Sequence, residues 1–155
     1  SWARDLAKIL LKHHINVLAV DTNKQHVIDS KNEGIHCVHG SILSKKVVDE
    51  VEIGQIGQLI AVTPSDEVNL LSTIEYESSF GRENVFRIVP ETKEPTRNKN
   101  SSNEKHLFAK GITYTYISAR LTAGSSFKSV LMTESFTFKD FQKNNPNLYF
   151  RFGLL

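Results

Sequence analysis

Short apolar runs alternate with helix-like stretches over the first 89 residues, and this alternation limits the fold to few architectures. The run Val17–Val20 is continuously apolar and ends at Asp21. A run of this kind is typical of a strand that is covered on both faces, as in a parallel sheet. Further strands are predicted at 35–39, 59–62 and 85–89. Strands separated by helices indicate βαβ units, so the sequence predicts an α/β fold with a Rossmann-like, doubly wound parallel sheet.

The stretches between the predicted strands have the periodicity and the end signals of helices. Apolar residues recur at helical spacing from the very start of the chain, at Ala3, Leu6, Ala7 and Leu10. A second helix is predicted over 24–33, and Gly34 is placed to end it. Ser44 is placed to begin a short third helix, and Ser65 or Asp66 to begin a longer fourth one.

The character of the sequence changes after Pro90. We predict a Rossmann-type domain over 1–90, a polar linker over 91–105 and a small α+β subdomain over 106–155. The subdomain is expected to contain two helices, near 113–123 and 137–143, and two strands, at 127–132 and 148–152. Its aromatic residues are expected to form a small core of their own: Phe127, Phe136, Phe138, Phe141, Tyr149, Phe150 and Phe152.

Composition excludes several classes of function. A formal net charge of +2 with scattered lysines does not favour nucleic-acid binding. No stretch reaches the about 20 apolar residues that a membrane-spanning helix needs. The single cysteine, Cys37, lies in an apolar run and is expected to be a buried, inert thiol. The six histidines lack the spacing of converging zinc ligands, so no metal site is predicted.

The start of the chain does not match the start of a Rossmann unit. Such a unit begins with a strand and a glycine-rich turn, and an acidic residue follows about 20 positions later. Asp21 occupies the place of that acid and Ala3 the place of the third small residue, so the sequence is expected to lack the first strand. The strands 17–20 and 59–62 would then be left with unpaired edges. We expect them to pair with each other, with a strand from 106–155, or in a homodimer whose interface lies within residues 1–89.

Four stretches follow the pattern of a known family of regulatory domains. They are Asp5-Leu6-Ala7-x-x-Leu10, Val17-x-x-Val20-Asp21, Gly34-Ile35-x-x-Val38-x-Gly40 and Ala61-x-Thr63-Pro64-Ser65-Asp66-Glu67-Val68-Asn69-Leu70. On these stretches, residues 1–89 resemble the nucleotide-binding domain of potassium-uptake regulators and of domains that regulate potassium conductance. The opening Ser1-Trp2-Ala3-Arg4-Asp5-Leu6-Ala7 and the later Phe80-Gly81-Arg82 look more like the variant appended to bacterial sodium/proton antiporters.

The resemblance implies a cytoplasmic regulatory domain at the inner face of the cell membrane. It implies a membrane-embedded transporter portion as partner, a homodimer, and a bound adenine nucleotide: NAD(H), AMP, ADP or ATP. The residues that it implies for binding are Asp21 at the ribose with Thr22 and Asn23 beside it, Ser41 and Ile42 near the adenine, and Thr63 near the phosphates. Many relatives have Asp at position 41, so Ser41 is a departure from the pattern. The sequence is also expected to lack the glycine-rich loop, which supplies backbone N–H groups to the phosphates of a nucleotide. The 155-residue chain alone is therefore expected to bind a nucleotide weakly or not at all.

Other interpretations of the same residues remain open. Asp21 is also placed to cap the helix at 24, and Thr63-Pro64-Ser65-Asp66 is sufficient as a turn followed by a helix cap. At the level of function, the alternatives are a fragment of an NAD-dependent oxidoreductase and a pure assembly domain whose nucleotide site has decayed.

We expect no enzymatic turnover, because the sequence offers no convergent acid, base or nucleophile. Incubation with NADH and a panel of carbonyl acceptors, followed by absorbance, tests this expectation. Reproducible NADH oxidation that disappears when one candidate residue is replaced would favour the oxidoreductase alternative.

Overall fold

The computed structural model describes residues 1–51, 53–92, 106–130 and 132–144, and these residues alternate between helices and strands along the chain. The helices are α1 (Trp2–Lys12), α2 (Lys24–Asn32), α3 (Lys45–Glu50), α4 (Asp66–Phe80), α5 (Tyr114–Thr122) and α6 (Phe138–Asn144). The strands are β1 (Leu18–Asp21), β2 (His36–His39), β3 (Leu59–Ala61) and β4 (Val85–Arg87). Short 3-10 turns lie at Ile53–Gln55 and Arg82–Asn84. The predicted α/β class is confirmed, and the doubly wound arrangement of the sheet stays a prediction.

The helices begin and end where the sequence signals predicted. The Ser44 hydroxyl accepts a hydrogen bond from the backbone N–H of Val47 at 3.4 Å, and Ser65 accepts one from Val68 at 3.2 Å. Each satisfies an N–H group that the first turn of a helix leaves without a partner. Gly34 has a φ of +79°, the left-handed conformation that commonly follows a helix end.

The strands form two parallel pairs, β1 with β2 and β3 with β4. In the first pair Asp21 lies opposite His39, and in the second Ala61 lies opposite Arg87. Within the described ranges, no ladder of hydrogen bonds joins the two pairs. Neither of the intrachain pairings that the sequence left open for β1 and β3 is therefore seen there, and pairing with a second chain stays a prediction.

Helices cover both faces of the first strand pair. Successive side chains of a strand point to opposite faces. Val38 of β2 packs against Val47 and Val51 of α3. The preceding residue, Cys37, faces the other side, where α2 lies against the strand and Ser30 contacts the thiol. Strand β2 is thus covered on both sides, whereas the four residues of β1, whose apolar run predicted such a strand, are only partly buried.

The second strand pair is covered by α1 on one face and by α4 on the other. Ile60 of β3 and Phe86 of β4 pack in a cluster with Trp2 and Leu6 of α1. The intervening residue, Ala61, is buried and faces the opposite side, where α4 lies against both strands.

The main core extends into the C-terminal part of the chain. Trp2 is 5% exposed, and its indole ring contacts the rings of Phe108, Tyr114 and Phe127 at centroid distances of 6.2, 5.4 and 6.2 Å. Phe127 therefore packs against α1 rather than in a separate aromatic core. Offset and tilted pairs at these distances add to the stabilisation that burial itself provides.

The C-terminal part differs from the prediction in its strands. The predicted helices are confirmed as α5 and α6, but the described residues of 127–132 do not form a strand. Val130 and Met132 are 46% and 39% exposed. A strand needs a neighbouring strand to which its backbone N–H and C=O groups can bond. Residues that favour strands are therefore not sufficient to form one where no such neighbour lies within the described ranges. The predicted strand 148–152, and residues 93–105 of the predicted linker, lie outside the described residues, and the division into domains stays a prediction.

Ion pairs join α1 to α2 and so connect the two strand pairs. Arg4 Nη1 lies 2.8 Å from Asp29 Oδ2, and Lys8 Nζ lies 2.7 Å from Glu33 Oε2. Exposed pairs of this kind contribute at most about 1 kcal/mol each. Helix α1 thus has its apolar face on β3 and β4 and its charged side chains on the helix that covers β1 and β2.

Replacement of Trp2 should be the most destabilising change in this part of the molecule. We expect Trp2→Ala to lower the free energy of unfolding by about 3–5 kcal/mol, because it leaves a cavity among three aromatic rings. Trp2→Phe should cost clearly less, because it keeps an aromatic ring and removes a buried indole N–H that has no hydrogen-bond partner among the described residues. Urea unfolding followed by far-ultraviolet circular dichroism measures both values. Equal losses for the two variants would contradict the packing role of the ring.

Candidate functional site

Polar residues cluster where β1 and β2 end side by side. Asp21 is the last residue of β1, and its backbone carbonyl accepts a hydrogen bond of 3.0 Å from the N–H of Gly40. The next residue, Thr22, has its carbonyl 3.0 Å from Nε2 of His39, the last residue of β2. In open α/β sheets ligands bind beyond the carboxyl ends of the strands. The structure therefore brings the predicted residues 21–23 and 41–42 to one such edge.

The Asp21 carboxylate is the accessible charged group of this edge. Its side chain is 36% exposed. Oδ1 accepts a 2.8 Å hydrogen bond from the backbone N–H of Asn23, and Oδ2 lies 3.1 Å from Nδ1 of His26. An ionised carboxylate has about four lone-pair positions, so it retains capacity for a ligand hydroxyl. The side chain is thus oriented by two local contacts and remains partly exposed.

Asn23, not Asp21, caps the helix that follows. The Asn23 side-chain oxygen accepts hydrogen bonds from the backbone N–H groups of Gln25 at 2.9 Å and His26 at 3.3 Å. The interpretation of Asp21 as the helix cap is therefore wrong, and Asn23 has a structural task of its own. The contact between His26 and Asp21 was not predicted from the sequence. The position of His26 in the first turn of α2, five residues after Asp21, is the feature that could have indicated it.

The turn after β2 is built tightly around Gly40. Gly40 has a φ of +150°, and a Cβ atom there would lie 2.5 Å from Cγ2 of Val47. In the turn itself, the Ser41 hydroxyl accepts a hydrogen bond from the N–H of Leu43 at 3.2 Å. The Ile42 side chain packs against the cluster of Val38 and Val47, and its carbonyl accepts a hydrogen bond of 2.8 Å from the hydroxyl of Tyr76.

Thr63 belongs to a separate, internally bonded turn after β3. Its backbone N–H donates to Oδ1 of Asn69 at 2.8 Å, and Nδ2 of Asn69 donates back to the Thr63 carbonyl at 2.9 Å. The Thr63 hydroxyl is also bonded to Asn69 Oδ1, at 2.9 Å. Asn69 is 1% exposed, so this network fixes the turn from inside. The predicted role of the segment as a turn and helix cap is confirmed; no hydrogen bond within the described ranges links Thr63 to Asp21.

The described residues offer little reactive chemistry. Cys37 is 1% exposed, and burial raises the pKa of its thiol, so the nucleophilic thiolate is disfavoured. Among these residues, no group of three or more His, Cys, Asp or Glu side chains is arranged to hold a metal ion. No helix in the described part of the chain is both long and apolar enough to cross a membrane.

Comparison with known protein families identifies the family to which the chain belongs. The sequence model of the TrkA-N domain matches residues 1–109, which is more than half of the 155 residues. The chain belongs to the TrkA-N domain family. These are Rossmann-type, nucleotide-binding domains of potassium transport systems, regulatory rather than catalytic, and they generally bind NAD(H). The search of curated proteins finds no match.

The TrkA-N match covers every predicted site residue and continues past the strand β4. It ends at residue 109, so it takes in Leu107 and Phe108, which pack in the cluster around Trp2. Asn69, which the sequence analysis quoted only as part of a motif, is the residue that holds Thr63.

Proposed function

We propose that this TrkA-N domain senses an adenine nucleotide, NAD(H) or AMP, ADP or ATP, and regulates a monovalent cation/proton antiporter or potassium transport system. The observation that supports this best is the Asp21 carboxylate at the end of β1. It is partly exposed, oriented by two local contacts and able to accept further hydrogen bonds. In dinucleotide-binding Rossmann folds a carboxylate at this position binds the ribose hydroxyls.

The neighbouring residues take their roles around that contact. Thr22 and Asn23 form the wall beside the ribose, and Ser41 and Ile42 form the turn on the adenine side. Thr63 lies at the phosphate side, at the start of the turn that leads into α4. The side chains of Asn23 and Thr63 are engaged within the protein, and so are the backbone N–H groups of both residues. In this proposal Asp21 therefore makes the main polar contact with the nucleotide.

The transporter context rests on sequence similarity. The opening residues 1–7 and the segment Phe80-Gly81-Arg82 resemble the antiporter-linked variant of the family. In this proposal the domain lies in the cytoplasm at the inner face of the membrane, and a membrane-embedded transporter portion is its partner.

Helix α4 offers a surface for the proposed homodimer. Its buried residues are mostly small and polar: Asn69, Ser72, Thr73 and Tyr76. Its outer face has Leu71 and Ile74, three residues apart, which are 45% and 60% exposed. A helix that places its aliphatic side chains outward has a surface suited to packing against a second helix. We propose that two copies of the chain meet through this face.

A second candidate is a pure assembly domain without a working nucleotide site. It is favoured by position 41, where a serine replaces the aspartate of many relatives and so lacks the carboxylate charge. The Ser41 hydroxyl also accepts a hydrogen bond from Leu43 within the turn. In that case dimerisation would remain and nucleotide binding would be absent.

Nucleotide binding should depend on Asp21. A hydrogen bond to a charged group contributes about 1.5–3 kcal/mol, so Asp21→Ala should weaken NADH or AMP binding roughly 10- to 150-fold. Titration calorimetry on the full-length protein measures this. Asp21→Asn keeps an acceptor for the Asn23 N–H and should also weaken binding, while the exposed Asp49→Ala serves as control. Equal affinity of Asp21→Ala and the unmodified protein would refute the assignment; no binding by the unmodified protein together with dimerisation would favour the assembly domain.

The dimer should depend on the outer face of α4. Ile74→Glu places a charge in the proposed contact, so we expect monomers at concentrations where the unmodified protein is dimeric. Ile28→Glu changes an equally apolar, 51% exposed residue on α2 and should leave the dimer intact. Sedimentation velocity over a concentration series distinguishes the two. A monomer at every concentration for the unmodified protein would refute the dimer, and a dimer that survives Ile74→Glu would exclude this face.

A further inference from the structure

Tyr76 joins helix α4 to the turn that follows β2. Its side chain is 3% exposed, and its ring stacks on Phe80 with a centroid distance of 5.6 Å and an interplanar angle of 12°. The hydroxyl donates a 2.8 Å hydrogen bond to the backbone carbonyl of Ile42, which is 34 residues away in sequence. The stack orients the ring, and the hydrogen bond connects its hydroxyl to the turn after β2.

This hydrogen bond is strongly constrained because of its environment. A buried tyrosine hydroxyl needs a hydrogen-bond partner, and the Ile42 carbonyl supplies it. Burial raises the pKa of the Tyr76 phenol, so the group stays protonated and remains a donor near neutral pH. Neither α4 nor the turn can shift relative to the other without breaking the bond.

The two ends of the bond belong to different parts of the molecule. Ile42 lies in the turn beside the candidate adenine contact, and its side chain is packed under α3. Tyr76 lies on α4, two residues from Ile74 on the opposite side of the helix, and α4 covers the other strand pair. Within the described ranges no ladder joins the strand pairs, and this hydrogen bond is one of the contacts that connect their two sides.

We infer that Tyr76 is a positioning residue of the nucleotide site, whose hydrogen bond to Ile42 transmits nucleotide occupancy at the Ser41–Ile42 turn to the outer face of α4. The inference rests on the proposed function, since it takes the turn as part of the nucleotide site and α4 as the dimer contact. Binding at one site then changes affinity at the other, and by linkage the effect is reciprocal.

The experiment measures how strongly NADH changes dimerisation. The dissociation constant of the dimer is determined by sedimentation for the full-length protein, with and without NADH. The NADH concentration is set at tenfold its own dissociation constant for each variant, so that weaker binding does not imitate lost coupling. We expect NADH to shift the dimer constant of the unmodified protein at least about fivefold, the lower end of common coupling effects. In Tyr76→Phe, which keeps the ring and its stack, the shift should fall below about twofold.

Ser72→Ala is the matched control. It removes a buried hydroxyl of the same helix, whose 2.7 Å hydrogen bond to the Val68 carbonyl stays within α4. It should keep the full shift, and incorporation of 4-aminophenylalanine at position 76 should restore it by supplying a new donor. An unchanged shift in Tyr76→Phe, or an equal loss in Ser72→Ala, would overturn the inference.

Hydrogen exchange on the unmodified protein gives a test that does not depend on any variant folding. NADH should alter amide exchange in residues 70–80 of α4 as well as in residues 41–44; a change confined to 41–44 overturns the inference. NADH binding without any shift in dimerisation also overturns it but leaves the proposed function standing. If the unmodified protein binds none of NADH, AMP, ADP and ATP, both the inference and the proposed function are overturned.

Discussion

The structure depends on one constraint, which is that its two parallel strand pairs have no hydrogen-bond ladder between them in the described part of the chain. In an ordinary sheet the ladder itself sets how strands lie relative to each other. Here side chains on helices have that task. On one face α1 packs Trp2 and Leu6 over the second pair and extends Arg4 to Asp29 beside the first. On the other face Tyr76 connects α4 to Ile42.

Side chains at the candidate site also have structural roles. The polar side chains that family similarity suggests for nucleotide contact are mostly occupied in building the protein: Asn23 caps α2, Ser41 closes its own turn and Thr63 is held by Asn69. Asp21 is different, because its local contacts orient it without using all its acceptor capacity. Of the side chains proposed for nucleotide contact, Asp21 is therefore the one on which the proposal mainly depends.

Local signals in the sequence predicted the fold well, and failures began where long-range contacts decide. Helix caps and stops such as Ser44, Ser65 and Gly34 act through neighbouring residues. The ends of the corresponding helices were therefore predicted close to where the structure has them. The described residues of 127–132 favour a strand, but no strand lies beside them within the described ranges. Tyr76 and His26 were missed because a single sequence does not show which distant carbonyl or carboxylate a side chain will meet. On α4, the exposure of the aliphatic residues Leu71 and Ile74 was likewise not predicted from the sequence.

The position of the single tryptophan has a practical consequence for optical spectroscopy. Trp2 is the chain's one indole, and it lies at the junction of the first helix with the segment that follows β4. Indole emission responds to the polarity of its surroundings, so the fluorescence of the unlabelled protein reports on this junction without interference from another site. Separation of the C-terminal segment from α1 would expose the ring to water and shift its emission to longer wavelength. The molecule therefore contains its own spectroscopic probe of the packing between α1 and residues 107–127.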